Sequence, residues 1–204
     1  MGTWKVLLTD GLEKNGQEAL RKLAQVDDKK GITADELLQI VGEYDAMIVR
    51  GRTKVTQAVF EAAKNLKVVG RAGVGVDNID LAAAKAHNVT VVNSPTATTL
   101  AVAELTMALM LSVVREVPRG DAGMKAGQWL KKELMGAELW RKTLGVIGFG
   151  RIGIAVAERA KAFDMDIISY HPRRTADQIR EAGGEPVSFD ELLAKSDIIT
   201  CTSR

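Results

Sequence analysis

The sequence predicts an α/β fold built on parallel sheets, and three observations predict it. Short runs rich in Val, Ile and Leu alternate with helical patterns, as strands covered by helices on both faces do. The alternation breaks at Asn93-Ser94-Pro95 and restarts at Thr143, so two sheet units are expected with a hinge between them. The restarted strand runs directly into Gly148-Phe149-Gly150-Arg151-Ile152-Gly153, a glycine turn that opens a helical pattern.

The elements follow in order. Lys5 to Thr9 reads as a strand and Glu13 to Leu23 as a helix. Thr33 to Val41 is a second helix, because Thr33 and Glu36 have the spacing of a capping box. Ala46 to Val49 is a buried strand, Thr56 to Asn65 a helix and Lys67 to Gly70 a strand. Leu81 to His87 is helical, with Asn88 suited to its C-cap, and Val89 to Val92 closes the first series. Thr98 to Arg115 is a long helix, expected to be buried because its apolar run is too short for a bilayer and contains Glu104. Glu104 itself reads as a satisfied structural carboxylate. A polar stretch from Pro118 to Arg141 follows, with Trp129 and Trp140 expected to anchor it. The second series is strand 143–147, helix 151–163, strand 167–170, helices 175–182 and 189–194, and strand 197–201.

Composition narrows the function classes. The chain has 204 residues, is 46% hydrophobic and carries a net charge of only +2. That balance supports a packed core and gives no electrostatic case for nucleic acid or a membrane surface. A single cysteine, Cys201, excludes an internal disulfide framework and suits a reducing compartment. Cys201 is expected to be a small buried residue. The N-terminal residues show no secretory signal, and Val6 argues against myristoylation at Gly2. A cytoplasmic protein is therefore expected.

The glycine turn carries the strongest chemical signal. In a strand–turn–helix setting the first glycine makes the tight turn, and the second lets the backbone approach a pyrophosphate. The third lets helix pack on strand. The helix N-terminus then offers amide donors and a positive dipole end to the phosphates. Expected cofactor contacts are Gly148, Gly150, Arg151, Ile152 and Gly153. An acidic residue usually stands at the end of the next strand, about 20 residues on, when the cofactor is NAD. This chain reads Tyr170-His171-Pro172-Arg173-Arg174 there. The acid is missing, and guanidinium groups match a phosphate dianion. His171, Arg173 and Arg174 therefore favour NADP, with NAD as the alternative.

Further stretches occur in a fixed order: Arg50-Gly51-Arg52-Thr53, then Val68 through Asp80 with Gly73-Val74-Gly75-Val76-Asp77-Asn78-Ile79-Asp80. Val91 to Pro95, Val102 to Leu105, Met135 to Leu139 and the glycine turn complete the series. Together they resemble the D-isomer-specific 2-hydroxyacid dehydrogenases. The resemblance implies a flavodoxin-like parallel-sheet substrate domain over 1–95 and a Rossmann NAD(P)-binding domain over 96–204, incomplete at its C-terminus. It implies oxidation of the CH–OH group of a D-2-hydroxyacid, with 3-phosphoglycerate, a serine precursor, as the expected substrate. Gly73, Val74 and Gly75 would meet the substrate carboxylate, Val74 also the cofactor, and Arg50 and Arg52 the substrate phosphate. Lys131 and Lys132 are weaker phosphate candidates. A homodimer is expected on the same ground.

The resemblance also implies what the chain lacks. Reduction of a ketone needs a proton donor and a carbonyl-polarising cation; in this family these are a His supported by a Glu, and an Arg, all further along. No catalytic residue is expected within these 204 residues, since His87 stands at a helix end and His171 at the ribose position. The ending Thr202-Ser203-Arg204 departs from the family and reads as a truncation, a frameshift or a cut chain, so weak cofactor binding and no turnover are expected. Strand 143–147 is expected to become an exposed edge that invites association. Two other functions stay open: an NADPH-dependent glyoxylate or hydroxypyruvate reductase, and a non-catalytic NAD(P)-sensing module resembling a corepressor.

Overall fold

A computed structural model describes residues 3–202. The readings of Met1-Gly2 and of Ser203-Arg204 lie outside those residues. The chain divides into two compact units, residues 1–97 and 98–204.

The first unit holds β1 (Lys5–Leu8), α1 (Lys14–Arg21), β2 (Gln25–Asp28), α2 (Ala34–Ile40), β3 (Ala46–Val49), α3 (Gln57–Ala62), β4 (Val68–Arg71), α4 (Leu81–Ala86) and β5 (Thr90–Asn93). All five strands are parallel, in the order β2-β1-β3-β4-β5. This is the flavodoxin-like order, whose ligand crevice opens beyond the carboxyl ends of β1 and β3, where the chain reverses direction across the sheet. Leu7, Met47 and Val69, on the three middle strands, are fully buried. They meet Leu37, Val41, Val59 and Phe60 from the helix layer. Each such side chain contributes roughly 1.5–3 kcal/mol.

Local chemistry sets the helix ends. Thr33 accepts from the Glu36 amide while Glu36 reaches back to Thr33, the capping box expected at α2. Asp80 caps α4 by accepting from the Ala83 amide at 2.9 Å. That helix stops because Asn88 takes the left-handed conformation at φ +57°, which Asn tolerates well among non-glycine residues.

The second unit holds α5 (Thr99–Val114), α6 (Val117–Lys125), β6 (Thr143–Ile147), α7 (Arg151–Lys161), β7 (Asp166–Tyr170), α8 (Ala176–Glu181), β8 (Glu185–Pro186), α9 (Phe189–Lys195) and β9 (Ile198–Cys201). Its four strands are parallel, in the order β8-β7-β6-β9. That is the 3-2-1-4 part of a doubly wound sheet, with the switch point between β6 and β9.

Several expectations need correction. Strand 143–147 is not an edge: β6 pairs with β7 on one side and β9 on the other, because the last strand of the chain returns beside it. β2 and β8, with too few apolar residues to be read as strands, pair at the sheet margins. The polar stretch from Pro118, where the sequence assigns no element, begins with α6, which carries Pro118 in its first turn, where proline costs no hydrogen bond. Trp129 is 74% exposed and anchors nothing, and Trp140 is also exposed with the Arg141 guanidinium over its ring. Leu139 fills that role and is buried. Cys201 is exposed, because it points away from the core on margin strand β9.

The long helix α5 is buried on one stripe only. Ala103, Met107 and Met110 pack toward α7, while Leu105, Leu109 and Val113 are exposed. Glu104 is not buried. It is an exposed carboxylate 3.8 Å from Arg159, a surface pair of small energetic weight.

Candidate functional site

Each unit presents a cluster at its own switch point. In the first unit β1 runs into Asp10 and β3 into Arg50-Gly51-Arg52-Thr53. The Asp10 carboxylate accepts from the Arg50 amide at 2.7 Å, the Thr53 amide at 3.1 Å and the Thr53 hydroxyl at 2.6 Å. The Arg52 guanidinium lies 3.1 Å from it. The Asp10 side chain is only 4% exposed. Burial alone would raise its pKa. The hydrogen bonds from Thr53 and Arg50 and the Arg52 charge outweigh burial and hold the carboxyl below its ordinary value.

Arg50 and Arg52 therefore differ. Arg52 is committed: it donates to the Ile32 and Thr9 carbonyls as well as facing Asp10. Arg50 is half exposed, and among the described residues its guanidinium reaches only Glu13, at 3.8 Å. Asn78 ties this loop to the next one by donating to the Arg50 and Thr53 carbonyls at 2.9 and 2.7 Å.

The loop after β4 contains Gly73, Val74 and Gly75. Gly73 has φ +154°, and a Cβ there would stand 1.3 Å from Arg71 Nη1. The position therefore admits only glycine while Arg71 lies across it. Val74 is exposed, and its carbonyl accepts from the Asn93 amide nitrogen at 2.6 Å.

In the second unit the glycine turn joins β6 to α7. Gly148 sits at φ +91°, and a Cβ at Gly150 would meet nothing within 4 Å. Backbone there faces open space, as close approach of a phosphate requires. A Cβ at Gly153 would lie 2.5 Å from the Gly148 carbonyl oxygen, so the third glycine is fixed by helix–strand packing. No side chain caps α7, which leaves the helix entrance to a ligand. Arg151 is exposed at that first turn, while the Ile152 side chain packs against the core. These features fit a dinucleotide pyrophosphate.

Thr202 is a further residue of this turn. It follows β9 across the switch point, where its hydroxyl donates to the Gly148 carbonyl at 2.5 Å and its amide to the Ile147 carbonyl at 2.8 Å. No local motif announces it, because its partner is 54 residues away.

At the end of β7, His171 Nδ1 accepts from the Arg173 amide at 3.1 Å. Thr175 and Gln178 form a capping box at the start of α8. The turn that carries Arg173 and Arg174 is thus pinned at both ends. Among the described residues neither guanidinium has an ion-pair partner. His171 titrates below its ordinary value because of burial, then the charges of Arg174 and Arg173. His87 closes α4 and stacks on Phe60 with 6.3 Å between ring centroids. Lys131 and Lys132 are exposed in a turn of the second unit. Among the described residues no group of three His, Cys, Asp or Glu could hold a metal, and no helix is long and apolar enough to cross a membrane.

A doubly wound sheet with an open glycine turn at its switch point, preceded by a flavodoxin-like unit, is the architecture of α/β proteins of the dehydrogenase type. The chain belongs to the D-isomer specific 2-hydroxyacid dehydrogenase family, whose catalytic-domain model matches residues 6–202. It is 45% identical to D-3-phosphoglycerate dehydrogenase of Archaeoglobus fulgidus over 96% of this chain and 37% of that protein. It is 42% identical to hydroxypyruvate reductase of Thermotoga maritima over 98% of this chain and 65% of that one. Among solved structures, an acyclic imino acid reductase in complex with NADPH and D-Arg matches with a TM-score of 0.84 at 27% identity, over 98% of this chain and 65% of that one. The chain thus spans little more than a third of the length of its phosphoglycerate dehydrogenase relative.

Proposed function

We propose that this chain is the substrate- and nucleotide-binding portion of an NADP-preferring D-2-hydroxyacid dehydrogenase of the phosphoglycerate dehydrogenase type. The observation that carries the reading is the open glycine turn followed by two arginines with no ion-pair partner among the described residues. Gly148, Gly150 and the first turn of α7 would hold the pyrophosphate. Arg173 and Arg174 would hold a 2′-phosphate. When bound, the cofactor would supply the hydride chemistry at C2 of the hydroxyacid, and the hydroxyl proton would be exchanged with a base that this reading does not place among the described residues.

The substrate side rests on Gly73-Val74-Gly75 for the carboxylate and on Arg50 for a distal phosphate. Arg52 contributes to the same loop through Asp10 and two carbonyls. Neither histidine of this chain is a proton donor in this reading. His87 is built into a helix end, and Nδ1 of His171 is occupied by the Arg173 amide. A homodimer in the cytoplasm completes the proposal.

A second reading has one specific observation in its favour. Arg52 is committed to Asp10, Thr9 and Ile32, which leaves a single arginine for a distal phosphate and suits an unphosphorylated acid such as hydroxypyruvate. Calorimetric titration of the chain with 3-phosphoglycerate and with glycerate separates the two. Binding of 3-phosphoglycerate at least about tenfold tighter, ~1.4 kcal/mol, supports the phosphorylated substrate. Equal binding supports the other.

A further inference from the structure

The geometry points to His171 as a positioning residue for the 2′-phosphate subsite: its neutral ring holds the 171–174 turn by the hydrogen bond that an Asp or Asn would make, without a negative charge. The inference rests on the reading of Arg173 and Arg174 as phosphate ligands, and it concerns what places them.

A side-chain acceptor at one position and an amide two residues on form the hydrogen-bonded turn that Asp and Asn make most readily. His171 Nδ1 and the Arg173 amide, 3.1 Å apart, reproduce it. An acidic residue here accepts ribose hydroxyls in NAD enzymes, and its charge would oppose a phosphate dianion. The imidazole keeps the turn and removes the charge. It accepts at Nδ1 only with its proton on Nε2, so the neutral ring is the working form. Burial and the two arginines both favour that form. Tyr170 fixes the strand end before the turn by packing edge-on against Phe189 at 5.5 Å between centroids. The capping box of Thr175 and Gln178 fixes the end after it. Only the segment between them depends on His171.

The test uses the 204-residue chain and two probes, adenosine 2′,5′-bisphosphate and 5′-AMP, titrated calorimetrically at pH 8. His171→Leu removes the acceptor, and His171→Asn restores it without charge. The expected result is a loss of at least tenfold in affinity for the bisphosphate in His171→Leu, a smaller loss for AMP, and recovery to within threefold in His171→Asn. Thermal melting on each variant verifies that it is folded. Unchanged bisphosphate affinity in His171→Leu overturns the inference, as does a loss that Asn does not recover or an equal loss for AMP. The parent reading fails by a different result: a chain carrying Arg173→Ala and Arg174→Ala that binds the bisphosphate as tightly as wild type, which removes this inference with it.

Discussion

The Thr202 hydroxyl donates to the Gly148 carbonyl across 2.5 Å, which joins the end of the last strand to the first glycine of the phosphate-binding turn. The bond spans the switch point of the second sheet, so the turn's shape depends on β9 as well as on β6 and α7. Replacing Thr202 with Val keeps the volume and deletes the donor. The expected cost is about 1 kcal/mol of stability, with weaker nucleotide binding. Urea unfolding and nucleotide titration of Thr202→Val measure both.

Gly153→Ala tests the other side of the same turn. Its Cβ would stand 2.5 Å from the Gly148 carbonyl oxygen and 2.9 Å from Thr202 Oγ1. The helix must shift away from the strand, at about 1–3 kcal/mol. Gly150→Ala meets nothing within 4 Å. Its expected stability is close to wild type, while its methyl group intrudes on bound phosphate. The pair separates packing from ligand approach when melting temperature and nucleotide affinity are measured together.

Asp10 gives the first unit an acid-sensitive joint. Its pKa is held below the ordinary value in the folded chain by Thr53, Arg50 and Arg52 against the opposing effect of burial. The unfolded chain therefore binds the proton first. The contribution of Asp10 is fully present above about pH 4 and is lost as pH falls through the folded-state value. Asp10→Asn removes the charge that faces Arg52 and one of the two acceptor oxygens, so either the Thr53 hydroxyl or the Arg50 and Thr53 amides meet an NH2 group in place of an acceptor. It should lower stability near neutral pH by about 2–3 kcal/mol and flatten the acid side of the profile. Urea midpoints across the acid range in both proteins check it.

Gly73→Ala probes the carboxylate loop. The backbone at φ +154° and the Arg71 guanidinium leave no room for a Cβ. Arg71 swings away in this variant, so the expected effect is weaker 3-phosphoglycerate binding together with a lower melting temperature. Calorimetry and a thermal melt read the two.

Much of this was legible in the sequence, for physical reasons that particular residues make plain. Val6, Leu7, Met47 and Val69 lie on inner strands, and their apolar runs mark them. Gln25 to Asp28 pairs on one side only, needs few apolar residues and leaves no such signal. α6 was hidden by Pro118, Gly120 and Gly123, of which Gly123 is buried beneath Leu130. The glycine turn and the arginines are visible because residue type alone carries their chemistry. Asp10, Asn78 and Thr202 act on loops 25 to 54 residues distant, so only the order of strands in the sheet reveals them. The exposed side of α5 is not legible because its apolar residues are spread around the helix, and composition does not say which face a neighbour covers.

The most direct test of the account is the pair of dissociation constants for NADPH and NADH on the 204-residue chain, measured by calorimetry under one buffer condition. NADPH binding at least about tenfold tighter, ~1.4 kcal/mol, is expected, carried by Arg173 and Arg174. NADH binding tenfold tighter than NADPH would contradict it.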